Sequence, residues 1–270
     1  MSETEPEKRR HISFSQLKMF QNCGKAYEYR YIEGKIIPPG VALIRGRSVH
    51  KAHEISLRRK LEGAEPASEA EMEQIAADEV ENGFRGDFIV DDDIPFEDAK
   101  GTTKDQAVKL ARLDQRELIP QIKPIAVEEK IEVEIPGLSK TLLGILDVAE
   151  YGRVRDLKTS SRTPPKDASS KSAQLSMYHL LFEIKYGKPP GELMLDTLVA
   201  TKEPKLDQQK SWRMKEEIQI FLNRVHSAVE NIEKGNFLPA PEDAWNCSAK
   251  WCGFWSICPF GGSGRKRPVT

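Results

Sequence analysis

The sequence predicts an α/β fold, a small mixed central sheet flanked by helices. Three observations carry this. Residues 125–135 (IAVEEKIEVEI) alternate apolar and polar side chains, the two-residue period of a half-buried strand. Two short runs follow on either side of a Tyr-Gly pair, 142–150 and 153–159, and read as a hairpin. A helical pattern over 170–186 then leads to the apolar run LMLDTLVA at 193–200, giving the strand–helix–strand order from which α/β folds are built.

The remaining elements follow from spacing and breakers. Residues 1–10 are polar and charged and are expected to be disordered. Ser13 or Ser15 caps a first helix through Leu17, Phe20 and Tyr27. Gly34 to Gly40, with Pro38 and Pro39, breaks the chain before a helix from about Gly46 to Leu61. A helix over 69–81 and another over 103–118, ended by Pro120, precede the first strand. A long amphipathic helix is expected over 214–234. Pro239 and Pro241 open an irregular segment rich in Trp and Cys, and the tail GGSGRKRPVT (261–270) reads as a flexible basic arm. We therefore expect one domain over 11–260, with an acidic insert at 62–98 and a cysteine-rich segment at 245–260.

Charge sorts the function classes. The formal net charge is −1, yet residues 62–98 hold fourteen acidic residues and one basic residue, Arg85. The rest of the chain is therefore basic, as phosphate binding requires. The acidic window matches no motif and its role is left open; one hypothesis is a flap that imitates nucleic acid and competes for a basic groove. Exposed arginines near Arg45, Arg47, Arg58 and Arg59, and the stretch from Arg162 to Lys171, are expected to contact a phosphate backbone. No apolar run approaches the length of a membrane span, and the N-terminal residues lack the apolar core of a signal peptide. A cytoplasmic location without membrane contact is expected. Thiols stay reduced there, so the four cysteines read as ligands rather than disulfides.

The chemistry concentrates in GILDVAEYGRVRDLKTSS (144–161). A tight turn at Tyr151-Gly152 pairs Glu150 with Arg153 and sets Asp147 opposite Asp156. Directly opposed residues share a face, and alternation adds Lys158 to it. Two neighbouring aspartates repel each other unless a cation lies between them, and hard oxygen ligands suit Mg²⁺ or Mn²⁺. Such a metal polarises a phosphodiester and lowers the pKa of a bound water, with Lys158 orienting the attack or stabilising charge on the phosphate.

These residues resemble the second and third motifs of the PD-(D/E)XK nucleases, a strand Asp followed by a (D/E)-x-K strand. RGRSVH (45–50) resembles the G-x-x-x-H motif of the RecB-like branch, which makes His50 a metal ligand beside Asp147 and Asp156. Gln174 and Tyr178 in AQLSMYHLL resemble its Q-x-x-x-Y helix, and at i and i+4 they face the same way. Glu128 resembles a weaker upstream acidic motif, but alternation makes it a solvent-facing strand residue.

The cysteines are Cys23, Cys247, Cys252 and Cys258, the last three within CSAKWCGFWSIC. Four thiolates select zinc or an iron–sulfur cluster, and the absence of a C-x-x-C pair leans away from structural zinc. The pattern, with SQLKMFQNCGKAYEYRYI around Cys23, resembles the iron–sulfur staple of RecB-like nucleases such as AddB subunits and CRISPR-adaptation nucleases. One cysteine precedes the nuclease core and three follow it. The resemblance implies a 4Fe–4S cluster joining the two ends of the chain, with zinc as the alternative. Four residues separate Cys247 from Cys252, where two are more usual. Trp245, Trp251 and Trp255 are expected to shield the cluster from solvent.

Taken with the resemblance, the expected activity is metal-dependent hydrolysis of DNA, as an exonuclease on single strands or duplex ends, in recombination, repair or adaptation. No G-x4-G-K-(S/T) motif is present, so unwinding falls to a helicase or recombination partner. The alternative is a non-catalytic DNA-binding or scaffold subunit with a structural metal cluster.

Overall fold

A computed structural model of the chain describes residues 10–90 and 95–262. The N-terminal segment 1–10 and the tail 261–270 lie almost wholly outside the described residues. In chain order the elements are β1 (His11–Ser13), α1 (Phe14–Asn22), α2 (Gly24–Tyr27), α3 (Val41–Leu61), α4 (Glu69–Gly83), α5 (Ala99–Leu113), β2 (Ala126–Val133), β3 (Thr141–Glu150), β4 (Arg153–Ser160), α6 (Ala168–Lys171), α7 (Ala173–Tyr186), β5 (Glu192–Val199), β6 (Lys205–Ser211) and α8 (Lys215–Glu233). The expected α/β class, with a mixed sheet flanked by helices, is what forms. The chain divides into two compact units, a larger one of Pro38–Ile131 and Ile145–Ile218, and a smaller one built from three stretches of chain.

In the larger unit β4 runs antiparallel to β3 and parallel to β5, and β6 returns antiparallel to β5. A parallel β4–β5 pair needs a crossover, and α7 supplies it. Helices α3, α4 and α5 bury one continuous core around Val49, Leu57, Met72, Val80, Leu110 and Leu118, which also takes in Val148, Leu157 and Leu198 from the strands. Strand β6 (KLDQQKS) is polar and lies at the sheet's edge, so no apolar alternation marks it in the sequence.

Where the acidic window forms α4 it is part of the core. Ser68 caps α4 through a reciprocal pair with Glu71, and Met72, Ala76 and Val80 on the helix are buried. Its carboxylates are spent inside the unit. Glu69 pairs with Arg116 at 2.7 Å and Glu71 with Arg59 at 2.9 Å, while Glu73 meets Arg112 and Glu81 meets Lys100 and Lys104. Among the described residues Glu69, Glu71, Glu73 and Glu81 therefore tether a packing helix.

In the smaller unit β1 pairs in parallel with the first residues of β3, from His11 against Thr141 to Ser13 against Leu143. Ser13 caps α1, and Gln16 returns the bond to the Ser13 backbone at 2.6 Å. The expected first helix breaks at Cys23, whose extended backbone separates α1 from α2. Phe20, Tyr27 and Phe237 form an aromatic cluster, with Tyr27 stacked on Phe237. The buried stripe of α8 in this unit runs through Phe221, Val225, Ala228, Val229 and Ile232.

Candidate active site and cysteine cavity

Helix α3 approaches β4 closely because residue 46 is glycine: a Cβ there would stand 3.2 Å from Thr159 Oγ1. One turn further on, His50 lies beside the hairpin, its Nδ1 3.9 Å from Asp147 Oδ2. The hairpin takes the expected register, with Glu150 opposite Arg153, then Ala149 opposite Val154 and Val148 opposite Arg155. At the next step Asp147 Oδ2 accepts the backbone N–H of Leu157 at 2.9 Å. A side chain thus takes over from the ladder, and the charge of Asp147 acts on the Asp156 carboxyl.

Asp156 is completely buried. Its Oδ1 accepts from Lys158 Nζ at 2.7 Å, and its Oδ2 has no hydrogen-bonding partner among the described residues. Burial, reinforced by Asp147 and opposed by Lys158, pushes the Asp156 carboxyl up to about 7. Burial pulls the Lys158 ammonium down, but Asp156 and Asp147 outweigh it and keep the proton on. A buried carboxylate oxygen with no donor, pressed toward a second carboxylate, is satisfied by a proton or a cation.

The ligand atoms of His50, Glu128 and Asp147 lie within 4.8 Å of one another. Glu128 corrects the solvent-facing expectation. Among the described residues it alone is a non-glycine with positive φ, +49°, a left-handed conformation within β2. The strand's alternation therefore fails at this point, and the side chain joins the acidic cluster. One sequence signal was available: Glu129 occupies a position whose parity calls for an apolar residue, a mark of a distorted strand. Burial and then the charges of Asp147 and Glu54 push Glu128 up to about 7. His50 is shifted the other way, since burial lowers its pKa despite Asp147, so it stays neutral and ready to ligate.

Gln174 and Tyr178 do share a face of α7. Gln174 Nε2 donates to Tyr178 Oη at 2.9 Å, and Tyr178 Oη donates to Asp147 Oδ1 at 3.2 Å. His53 is the buried counterpart of His50: its Nδ1 lies 2.9 Å from Asp114 Oδ2, and the carboxylate outweighs burial and raises its pKa. The expected phosphate contacts sort differently. Arg45 is buried and donates to Gln106 at 2.5 Å, so it faces no solvent-borne strand. Arg58 and Arg59 are engaged by Glu54 and Glu71. Arg47, Arg162 and Lys166 are exposed.

In the smaller unit Cys23, Cys247, Cys252 and Cys258 line one cavity of about 480 Å³ whose wall is mostly apolar. Cys23 Sγ accepts the Ala240 N–H at 3.3 Å. Burial, then the neighbouring cysteines, raise the Cys252 thiol. Among the described residues no three cysteine sulfurs lie within 4.8 Å of one another. The tryptophan expectation needs correction at Trp245 and Trp251, whereas Trp255 lines the cavity and is half-buried. Trp245 and Trp251 touch the cavity but are 72% and 59% exposed, packed edge to face at 5.6 Å, so they rim it rather than seal it.

A mixed sheet presenting two carboxylates and a lysine on neighbouring strands, with a histidine and a glutamate beside them, defines a class of metal-using hydrolases of phosphodiesters. The chain belongs to the PD-(D/E)XK nuclease superfamily, whose family model matches residues 11–259. It is similar to the crystal structure of a protein from Eubacterium rectale described as a "Putative exonuclease". The TM-score is 0.56 at 15% identity over 100% of this chain and 97% of that one, a likeness of fold. No curated protein matches the chain.

Proposed function

We propose that the chain is a Mg²⁺- or Mn²⁺-dependent deoxyribonuclease of the RecB-like branch, acting as an exonuclease on single strands or duplex ends. The observation that carries this reading is the buried, donorless Oδ2 of Asp156 beside Asp147 and Lys158. The donor set fits a hard divalent ion: carboxylates of Asp147, Asp156 and Glu128, with neutral His50. When bound, such an ion polarises the phosphodiester and acidifies a water.

The protein's own groups do the rest. Tyr178, backed by Gln174, fixes one oxygen of Asp147, and the Leu157 N–H fixes the other. Lys158 stays protonated beside Asp156, where its ammonium orients water or meets charge developing on the phosphate. Arg47, Arg162 and Lys166 are exposed cations for the strand's phosphates. The name carried by the Eubacterium rectale protein supports the exonuclease mode. Residues 11–260 act as one nuclease domain in the cytoplasm, with a helicase or recombination protein supplying unwinding in recombination, repair or adaptation. No described helix is long and apolar enough to cross a membrane.

The same reading gives the four cysteines an iron–sulfur cluster, 4Fe–4S by resemblance. A single tetrahedral zinc, at about 2.3 Å from each sulfur, draws thiolates to about 3.8 Å from one another. Among the described residues no three of the sulfurs fall within 4.8 Å of one another and the cavity they line is roomy and apolar, in support of a multi-iron cluster.

The test is degradation of end-labelled DNA. Cleavage that requires Mg²⁺ or Mn²⁺ and is lost in Asp156→Ala and Lys158→Ala, with folding intact, supports the enzyme. Full metal occupancy with every DNA substrate left whole supports the scaffold alternative.

A further inference from the structure

The guanidinium of Arg213, just past β6, is buried. All five of its N–H groups are engaged, and none meets a carboxylate. Nε donates to Ser176 Oγ at 2.8 Å. Nη1 donates to Ser211 Oγ at 3.1 Å and to the Trp212 carbonyl at 2.9 Å. Nη2 donates to the carbonyls of Ser169 at 2.9 Å and Ser172 at 2.8 Å. Burying a cation against neutral acceptors is expensive, and Glu217, the carboxylate whose charge offsets part of that cost, makes no hydrogen bond or ion pair with it among the described residues. A fold that needed only a plug here would do better with an apolar side chain.

The acceptors show what the cation holds. Ser169 is on α6. Ser172 is the extended residue, φ −71° and ψ 108°, at which α6 stops and α7 starts, and its Oγ caps Leu175 N. Ser176 lies two residues after Gln174 and two before Tyr178, so at 100° per residue it sits on the opposite side of α7. Arg213 therefore grips the back of the turn whose front carries the chain Gln174–Tyr178–Asp147. A helix whose first turn is free to rotate by a few tens of degrees would swing Tyr178 Oη off Asp147 Oδ1.

We propose that Arg213 is a positioning residue for the catalytic metal site, setting the rotation of α7 so that Tyr178 orients Asp147. The inference rests on the metal-site reading above. Lysine carries three donors and no plane, so Arg213→Lys keeps the charge and loses the five-point grip.

The test is Mn²⁺ binding without DNA, followed by the EPR signal of the free ion, in wild type, Arg213→Lys, Tyr178→Phe and the double variant. Loss of a group behind a metal ligand typically weakens the metal ten- to a hundredfold. Tyr178→Phe should weaken Mn²⁺ roughly tenfold and Arg213→Lys roughly threefold. The double variant should be no weaker than Tyr178→Phe alone, because both act through one contact. Should Arg213→Lys fail to fold, Ser176→Ala removes a single acceptor and should show the same coupling on a smaller scale. Effects that multiply in the double variant, or Mn²⁺ affinity unchanged in Arg213→Lys, overturn the proposal. A wild-type protein that binds no Mn²⁺ overturns the metal-site reading and this inference with it.

Discussion

Asp156 and Lys158 stand two residues apart on one face of β4, joined at 2.7 Å, with the second oxygen of Asp156 buried and without a donor. Without metal this is an unfavourable arrangement. Asp156→Asn removes the buried charge, and its new N–H donors can satisfy Asp147. The metal-free variant should be more stable than wild type by on the order of 1–2 kcal/mol, and so melt higher, while losing DNA cleavage. Thermal denaturation with chelator present checks the first half, and a labelled-DNA assay the second.

The same strain sets a pH dependence. Asp156 and Glu128 are raised from ordinary values of 3.8 and 4.5 to about 7. Folded protein therefore holds protons that unfolded chain has shed. Their stabilisation is complete below about pH 4 and is lost as pH rises through about 7. Across that window the metal-free melting temperature should fall, and Asp156→Asn should flatten the slope. Saturating Mn²⁺ should flatten it too, because the cation replaces the protons.

Gly46 ties the helix to the strand. Gly46→Ala favours helix by about 1 kcal/mol but sets a Cβ 3.2 Å from Thr159 Oγ1, pushing His50 back from the hairpin. Metal-dependent cleavage should drop several-fold without loss of fold. Thr159→Ala in the same chain removes the obstructing atom and should restore it, as steady-state rates will show.

The cysteine cavity makes a separate prediction. Protein purified without oxygen should be brown, with absorbance near about 400 nm. Cys23→Ser and Cys252→Ser should each lose iron, measured chemically, and lower the melting temperature. Equal zinc and no iron in wild type would replace the cluster with a structural ion.

Helix α4 should behave as core, not as a decoy. Met72→Ala is expected to cost roughly 2–5 kcal/mol, whereas Glu73→Gln, which removes a surface pair with Arg112, should cost under about 1 kcal/mol and leave DNA affinity unchanged. Urea unfolding and a DNA-binding titration separate the two.

Much of this site was legible in the sequence because it obeys local periodicity. The hairpin count from Tyr151-Gly152 fixes which residues oppose, and the i, i+4 rule fixes Gln174 and Tyr178 on one face. Glu128 was hidden because a single left-handed residue breaks the strand period that predicted its direction. The charge of the acidic window misled because sequence gives totals, not partners: Arg59, Arg112 and Arg116 come from other segments. Arg213 gave no signal at all, since its five acceptors are hydroxyls and carbonyls brought together only by the fold.

The most direct test is a Mn²⁺-soaked crystal examined at the manganese absorption edge. The anomalous map should show a peak against the carboxylates of Asp147 and Asp156, with His50 and Glu128 at its sides. A peak bound elsewhere, or none in crystals of protein that degrades DNA with Mn²⁺, would contradict the placement of the reaction at this hairpin.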